Sequence, residues 1–445
     1  MPKDKSPGPD GYTTEFYKAA WATIGHEFTL AVQSFFVKGF LPKGINSTIL
    51  ALIPKKLRAK EMKDYRPISC CNVIYKVISK IIANRLKVLL PIFVAGNQSA
   101  FVKDRLLIEN LLLATELVKD YHKDSVSTCC AIKIDISKAF DSVQWSFLIN
   151  VLTTMKFPAV FTHWIKLCII TASFSVQVNG DLAGYFQSAR DLRQGCSLSP
   201  YLFVICMDVL SKMLDKAAGA HKFGFHPKCK RLGLTHLSFA DDLMVISDGK
   251  VRSIEGIVEI FYEFYKHSGL KISMEKSTLY MAGASPIVRA EIADKFLFEV
   301  GQLPVRYLGL PLVTKRLSAG DYAPLLEQIR KRIASWTSRY LSYAGRLNLI
   351  NSILCIICNF WLAAFRLPRQ CIREVDKTCS VIFGRVLNRL QRRQNFLGIR
   401  CVSRKQREGG LGLQNLKEAN DVSCLKLVWR IISNSNSLWV KWIST

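Results

Sequence analysis

The stretch LSFADDLMVIS, residues 237–247, sets two adjacent carboxylates, Asp241 and Asp242, between apolar runs that read as strand. Like charges side by side in low dielectric are costly unless a cation, a proton or water neutralises them. Adjacent residues on a regular strand point to opposite faces, so both acids serve one pocket only where the strand turns. The segment allows that turn: HLSF rises as one strand, Ala-Asp-Asp forms the tip and LMVIS descends. An exposed turn, where Asp is common, is the plain alternative, and the rest of the chain decides between them.

A further acid stands upstream. In TCCAIKIDI, residues 128–136, Ile132, Ile134 and Ile136 alternate with Lys133 and Asp135, which puts Asp135 on the polar face of a strand. A hairpin tip beside that strand gathers three carboxylates, a donor set that suits Mg²⁺, which takes oxygen ligands in octahedral geometry and shares them with substrate phosphates. Two such ions roughly 3.5–4 Å apart activate an attacking hydroxyl and stabilise a leaving pyrophosphate.

Bulk properties point the same way. The chain has 62 Lys and Arg against 34 Asp and Glu, a net charge of +28, which favours a long polyanion, nucleic acid before a membrane surface, over a small acidic metabolite. A hydrophobic share of 49% over 445 residues argues for folded cores rather than disorder. No secretory signal opens the sequence. The run LINSILCIICNFWLAAF, 349–365, is interrupted by Asn351, Ser352 and Asn359 and reads as a buried helix. The 14 cysteines sit mostly in apolar runs, and Cys355 and Cys358 form a CxxC with no second pair, so they read as reduced core thiols of an intracellular protein.

Without repeats or long linkers, the organisation reads as one continuous mixed α/β assembly. ILALIPKK (49–56) reads as a strand. NVIYKVISKIIANRLKVLL (72–90) reads as a helix with Ile74, Val77, Ile78, Ile81 and Ile82 as its apolar stripe, leaving Lys76, Lys80 and Arg85 on a basic face. DYAPLLEQIRKRIASW (321–336) has Tyr322, Leu325, Ile329, Ile333 and Trp336 at helical steps, Asp321 as N-cap, and Arg330, Lys331 and Arg332 on its other face. Basic residues then dominate from Arg373 to Arg407, a run that is either a polyanion contact or a solvated face.

The order of segments resembles the reverse transcriptase of non-LTR (LINE-type) retrotransposons, those of plant genomes especially. The resemblance rests on KSPGPDG (5–11), YRPIS (65–69), NQSAFVKDR (97–105), IDISKAFDSVQW (134–145), RQGCSLSPYLF (193–203), FADD (239–242), SGLKISMEKS (268–277), VRYLGLPL (305–312), LSYAGR (341–346) and EGGLGL (408–413). It covers nearly the whole chain. It implies an α/β (α+β) right-hand polymerase: fingers at 1–120, a palm at 121–300 with an antiparallel sheet, a catalytic hairpin and helices within 145–190, primer grip and helical thumb at 301–370, and a truncated basic region at 371–445.

The implied activity is RNA-directed DNA polymerisation: a primer 3′-hydroxyl attacks a deoxynucleoside triphosphate on an RNA template, with two Mg²⁺ ions or Mn²⁺ as substitute. By motif position, Asp135 and Asp241 are the principal metal ligands and Asp242 the third acid. Phe140 packs under the sugar, and Gln194 and Gly195 lie against nucleotide and template. Lys76, Lys80, Lys103 and Arg105 are candidates for the triphosphate. Lys276 stands where a proton donor or a backbone contact belongs. Tyr307, Leu308 and Gly309 form the primer grip, and Arg330, Arg389, Arg392 and Arg393 hold the nucleic-acid backbone. The resemblance also implies a nuclear site of action and no membrane partner.

Two departures stand out: Cys196-Ser197 where the family commonly has Asp-Pro, and Asp104 where Gly is usual; both predict impaired activity. No upstream endonuclease stretch or Cys/His knuckle is legible, so the chain reads as a polymerase core cut from a larger polyprotein. The competing readings are a decayed retrotransposon-derived nucleic-acid-binding protein and a maturase-like RNA-binding protein.

Overall fold

The computed structural model describes residues 5–123, 125–315, 317–334, 342–383, 412, 414–433 and 437–445. They fall into two compact units, Met1–Leu107 with Tyr121–Gln302, and Ile108–Asp120 with Leu303–Thr445.

The first unit carries strands β1 (Ser47–Pro54), β2 (Tyr65–Cys71), β3 (Cys129–Ile134), β4 (Ser173–Val178), β5 (Asp181–Gln187), β6 (His236–Phe239), β7 (Asp242–Ser247), β8 (Thr278–Ala282) and β9 (Glu299–Val300). One sheet runs β2-β1-β4-β5, the other β6-β7-β3-β8-β9. Strand β3 is central in the second. Cys129 to Ile132 are all buried, and the alternation seen in the sequence begins only at Lys133, where one face opens. Ile132, Ile134, Val245 and Leu279 join one core with helices Val73–Phe93, Ser199–Gly219 and Val251–Ser268 through Ile78, Ile82, Phe203, Leu210, Ile257 and Phe264.

The helix over 73–93 forms as its periodicity predicts, but its innermost row is Tyr75, Ile78, Ile82, Leu86 and Leu90. Ile74, Val77 and Ile81, expected at the centre of the stripe, are only half-buried at its flank. Nor is Arg85 simply part of a solvated basic face: its guanidinium lies 5.5 Å from the Phe36 ring centre and 5.8 Å from that of Trp164. The cysteines described are free thiols, most of them buried.

In the second unit, β10 (Val305–Tyr307) and β11 (Leu310–Leu312) form a hairpin. The helix Ala323–Ala334 buries Leu325 and Ile329 as its spacing predicts. Asp321, expected as N-cap, is instead the third residue of a preceding 3-10 turn, where its carboxylate accepts from the backbone N–H and hydroxyl of Ser318, both at 2.7 Å. A capping box closes the turn that the sequence pattern assigned to a single cap. The segment 108–120, counted above with the fingers, clusters with this second unit, where buried Glu109 meets Arg430 at 2.5 Å. One described run, Ala344–Leu362, is long and apolar enough to cross a membrane by length and composition, with a mean hydropathy of 1.3; within it Cys358, Trp361 and Leu362 are buried.

Candidate active site

Strands β3 and β7 run antiparallel with Ile132 opposite Val245, Lys133 opposite Met244 and Ile134 opposite Leu243. One step further, that register sets Asp135 opposite Asp242, and directly opposed residues of antiparallel strands share a face with Cβ atoms about 4.5–5.5 Å apart. Asp241 is the second residue of the two-residue turn closed by Phe239 opposite Asp242. All three acids reach solvent. Asp242 is nonetheless ringed by protein: burial first, then Asp241, raise its pKa above the ordinary Asp range, with Lys133 opposing and Asp135 adding to the rise. The three carboxylates therefore repel one another across a common opening.

Among the described residues, no three His, Cys, Asp or Glu side chains form a ready-made cation site. The acids are a charged cluster rather than a closed cage. Their donors are hard oxygens, and the burial and repulsion that raise Asp242 are what a divalent cation offsets. The residue set fits such an ion.

The end of β3 is stitched in place by the segment 271–277. Asp135 donates its N–H to Ser277 Oγ at 3.1 Å and accepts from Ser273 N–H at 2.9 Å, while Ser137 N–H donates to Lys271 O at 2.9 Å. Lys276, exposed, is the immediate neighbour of the serine that holds Asp135. That placement explains why SGLKISMEKS belongs to the site: its serines position an acid's backbone.

Phe140 lies on the short helix Ala139–Ser142, half-buried, its ring 4.6 Å from that of Phe203. Its carbonyl accepts from Leu192 N–H at 2.7 Å, and Gln194 Nε2 donates to Asp141 Oδ1 at 3.0 Å, so Phe140 and the Gln194–Gly195 loop are brought together. Gly195 has φ 101°, and a Cβ there would lie 3.3 Å from Ser69 O. Both facts favour glycine, the positive φ most. The adjoining groove, about 620 Å³, is lined by Leu50, Pro67, Phe174, Phe186, Asp141, Asp191 and Gln194 among others. Burial, opposed by Arg193 and reinforced by Asp141, pushes the Asp191 carboxyl up to about 6. A larger cavity of about 1140 Å³ lies in the second unit and touches none of the three acids, so volume does not mark the chemistry.

Several residues were underestimated in the sequence. Arg193, the first residue of the RQG motif, is buried and donates to Asn46 Oδ1 at 2.7 Å, Thr48 Oγ1 at 3.2 Å, Tyr75 Oη at 2.5 Å and the Cys168 carbonyl. It ties the RQG loop to β1, to the helix Val73–Phe93 and to the helix Ala159–Ile170. Cys196 is buried beside Tyr75 Oη, 3.7 Å from its sulfur. Arg105 is a clasp: it donates to the carbonyls of Ala95 (2.5 Å), Gln98 (2.7 Å) and Val94 (2.8 Å). Lys76 donates to Ser6 O at 2.6 Å, whereas Lys80 and Lys103 are exposed. Asp104 sits at φ 64°, the left-handed region that favours glycine and that Asp tolerates better than most residues.

In the second unit, Tyr307 and Leu308 are buried and Gly309 turns at φ 88°. Arg330 is exposed and lies 3.5 Å from Glu374. Arg389, Arg392 and Arg393 lie outside the described residues.

The central antiparallel strands of this mixed α/β unit bring an acid at a strand end to an Asp-Asp hairpin. The family model for reverse transcriptase (RNA-dependent DNA polymerase) matches residues 53–312, well over half the chain, and the chain belongs to that family, with its right-hand polymerase fold. It is 27% identical over 416 residues to the Transposon TX1 uncharacterized 149 kDa protein of Xenopus laevis, covering 93% of this chain and 31% of that one. It is 25% identical over 426 residues to a retrovirus-related Pol polyprotein from a type-2 retrotransposable element of Drosophila melanogaster, covering 93% and 38%. The chain thus spans well under half the length of these two relatives. Apo telomerase from Candida tropicalis shares 12% identity at a TM-score of 0.46, over 95% of this chain and 74% of that one.

Proposed function

We propose that the chain is the RNA-directed DNA polymerase of a non-LTR retrotransposon, extending a DNA primer with deoxynucleotides on an RNA template. The observation that carries the reading is the β3–β7 register, which ends at Ile134 opposite Leu243 and leaves Asp135 at the strand end next to the Asp241–Asp242 turn, in a chain of the reverse transcriptase family. Two Mg²⁺ ions, or Mn²⁺ in their place, would supply activation of the primer hydroxyl and neutralisation of the triphosphate. Asp135 and Asp241 hold that charge, with Asp242 as third acid. Phe140 packs beneath the incoming sugar, and Gln194 with Gly195 forms the wall against nucleotide and template. Lys276 contacts the backbone or donates a proton. Tyr307, Leu308 and Gly309 grip the primer, and Arg330 with Arg389, Arg392 and Arg393 holds the duplex by its phosphates. In this reading strands β1 and β2 belong to the fingers, the five-stranded sheet to the palm, the second unit contains the thumb, and the work is done in the nucleus.

The test is extension of an oligo(dT) primer on an RNA template, with and without Mg²⁺. Metal-dependent extension is expected. Phe140→Val is expected to raise the ratio of ribonucleotide to deoxynucleotide incorporation, because shortening the ring opens space for a 2′-hydroxyl. Absence of extension at any nucleotide concentration would reject the polymerase reading.

A further inference from the structure

The tip of the acidic hairpin is held from outside by a segment 139 or more residues away in sequence. Ser238 N–H donates to Asn97 O at 3.0 Å, Ser99 N–H to Ser238 O at 3.1 Å, and Gln98 bridges Ser238 in parallel. The side chain of Gln98 goes further. Its Oε1 accepts from Ala240 N–H at 3.0 Å and from Ala100 N–H at 2.9 Å. Ala240 is the residue before Asp241 and has φ 55°, a backbone conformation that a residue with a Cβ rarely adopts. Gln98 is 1% exposed, and its Nε2 has no hydrogen-bond partner among the described residues. A buried amide whose oxygen makes two bonds and whose nitrogen makes none is held for its oxygen. Its backbone is fixed in turn, since Arg105 donates to the Gln98 carbonyl and Ala95 N–H donates to buried Asp208 at 2.8 Å.

We infer that Gln98 is a positioning residue for the Asp241–Asp242 pair: by accepting the Ala240 N–H it keeps the tip in the strained turn that aims both acids at the opening beside Asp135. The inference rests on the polymerase reading for its consequence, but not for its geometry. It also gives Arg105 a purpose other than phosphate binding, as the clasp that keeps Gln98 in place.

The test has three readouts. In the metal-free wild type, hydrogen exchange of the Ala240 amide is expected to be slow, like that of the strand amides around it, although it lies in a turn. Gln98→Met keeps the side-chain length and removes the acceptor, so Ala240 exchange should accelerate. Mn²⁺ affinity, read by calorimetry on the protein alone, should fall by roughly 10- to 100-fold, the usual effect of losing a residue that orients a metal ligand. In primer extension, kcat should fall while the KM for primer-template stays unchanged. Fast exchange at Ala240 in the wild type would overturn the inference, and that measurement stands even if Gln98→Met does not fold. Unchanged Mn²⁺ affinity and kcat in a folded Gln98→Met would overturn it too. A wild type that does not extend primers, but loses Mn²⁺ affinity on Gln98→Met, would reject the polymerase reading while supporting the role of Gln98.

Discussion

Two hairpins in this chain close on turns of equal length and are held in different ways. Leu308 and Gly309, between Tyr307 and Leu310, both have positive φ, 47° and 88°, the pattern of a two-residue turn whose twist matches that of its strands. Glycine at the second position and burial of Tyr307, Leu308 and Leu310 make that turn locally sufficient. Ala240 and Asp241, between Phe239 and Asp242, have no glycine, and only Ala240 takes positive φ. Its support comes from Gln98 instead. This acidic hairpin tip has no glycine to take the positive φ, and a distant segment supplies the missing hold.

The largest contrast between the hairpins is chemical. Asp135→Asn and Asp241→Asn should each reduce primer extension below detection and leave primer-template binding near wild type. Gly309→Ala should leave Mn²⁺ affinity untouched. Equal extension by the wild type and both Asn variants would remove the chemical side of the comparison.

The next effect is on stability. Gly309→Ala places a Cβ at φ 88° and 3.2 Å from the Phe360 ring, which should cost about 1–2 kcal/mol in chemical denaturation. A neutral result would mean that the second turn, too, depends on support from elsewhere.

The acids of the first hairpin also predict a pH dependence of defined sign. The folded pKa of Asp242 is raised, by burial first and by Asp241 next, so the fold binds this proton more tightly than the unfolded chain does. Stability of the metal-free protein therefore falls as pH rises from the ordinary Asp range through the raised value. Thermal melts should show this loss, Asp242→Asn should flatten it, and Mg²⁺ should raise the melting temperature more above that window than below it, because the ion binds the ionised acids.

The smallest effect sharpens the comparison most. Ala240→Gly lends the first turn the freedom of the second and should raise stability by at most about 1 kcal/mol, since relief of the Cβ clash is partly offset by the greater freedom of the unfolded chain. Combined with Gln98→Met, the loss from the second change should be smaller than in the Ala240 background. Additive effects in that double-mutant cycle would show that Gln98 does not act through the turn.

Much of the five-stranded sheet was legible because its signals are local. The alternation of Ile132, Ile134 and Ile136 against Lys133 and Asp135, and the break between HLSF and LMVIS, follow from period-two geometry and turn chemistry. Helix 73–93 was legible as a helix but not in its orientation: nearly all its apolar positions touch something, and only packing selects Tyr75, Ile78 and Ile82 as the inner row. Nothing in the composition of the helix Leu107–Val118 announces that its residues from 108 cluster with 303–445.

Arg105, Arg193 and Gln98 mark the boundary of what sequence alone can decide. Each is a polar side chain in a quoted motif, and each could equally face solvent, substrate or backbone. The spacing of Asp135 from its isoleucines, the adjacency of Asp241 and Asp242 and the net charge of +28 are properties of the chain itself, and they determined an acidic cluster at a strand end in a chain suited to a polyanion. Which cations stay available and which are spent as clasps depends on carbonyls and hydroxyls contributed by separate elements. Arg193 reaches Asn46 across 147 residues, and Gln98 reaches Ala240 across 142. A buried polar group must find partners wherever the fold brings them, so its role is decided by tertiary packing. An acid on an alternating strand needs only the local period to point outward.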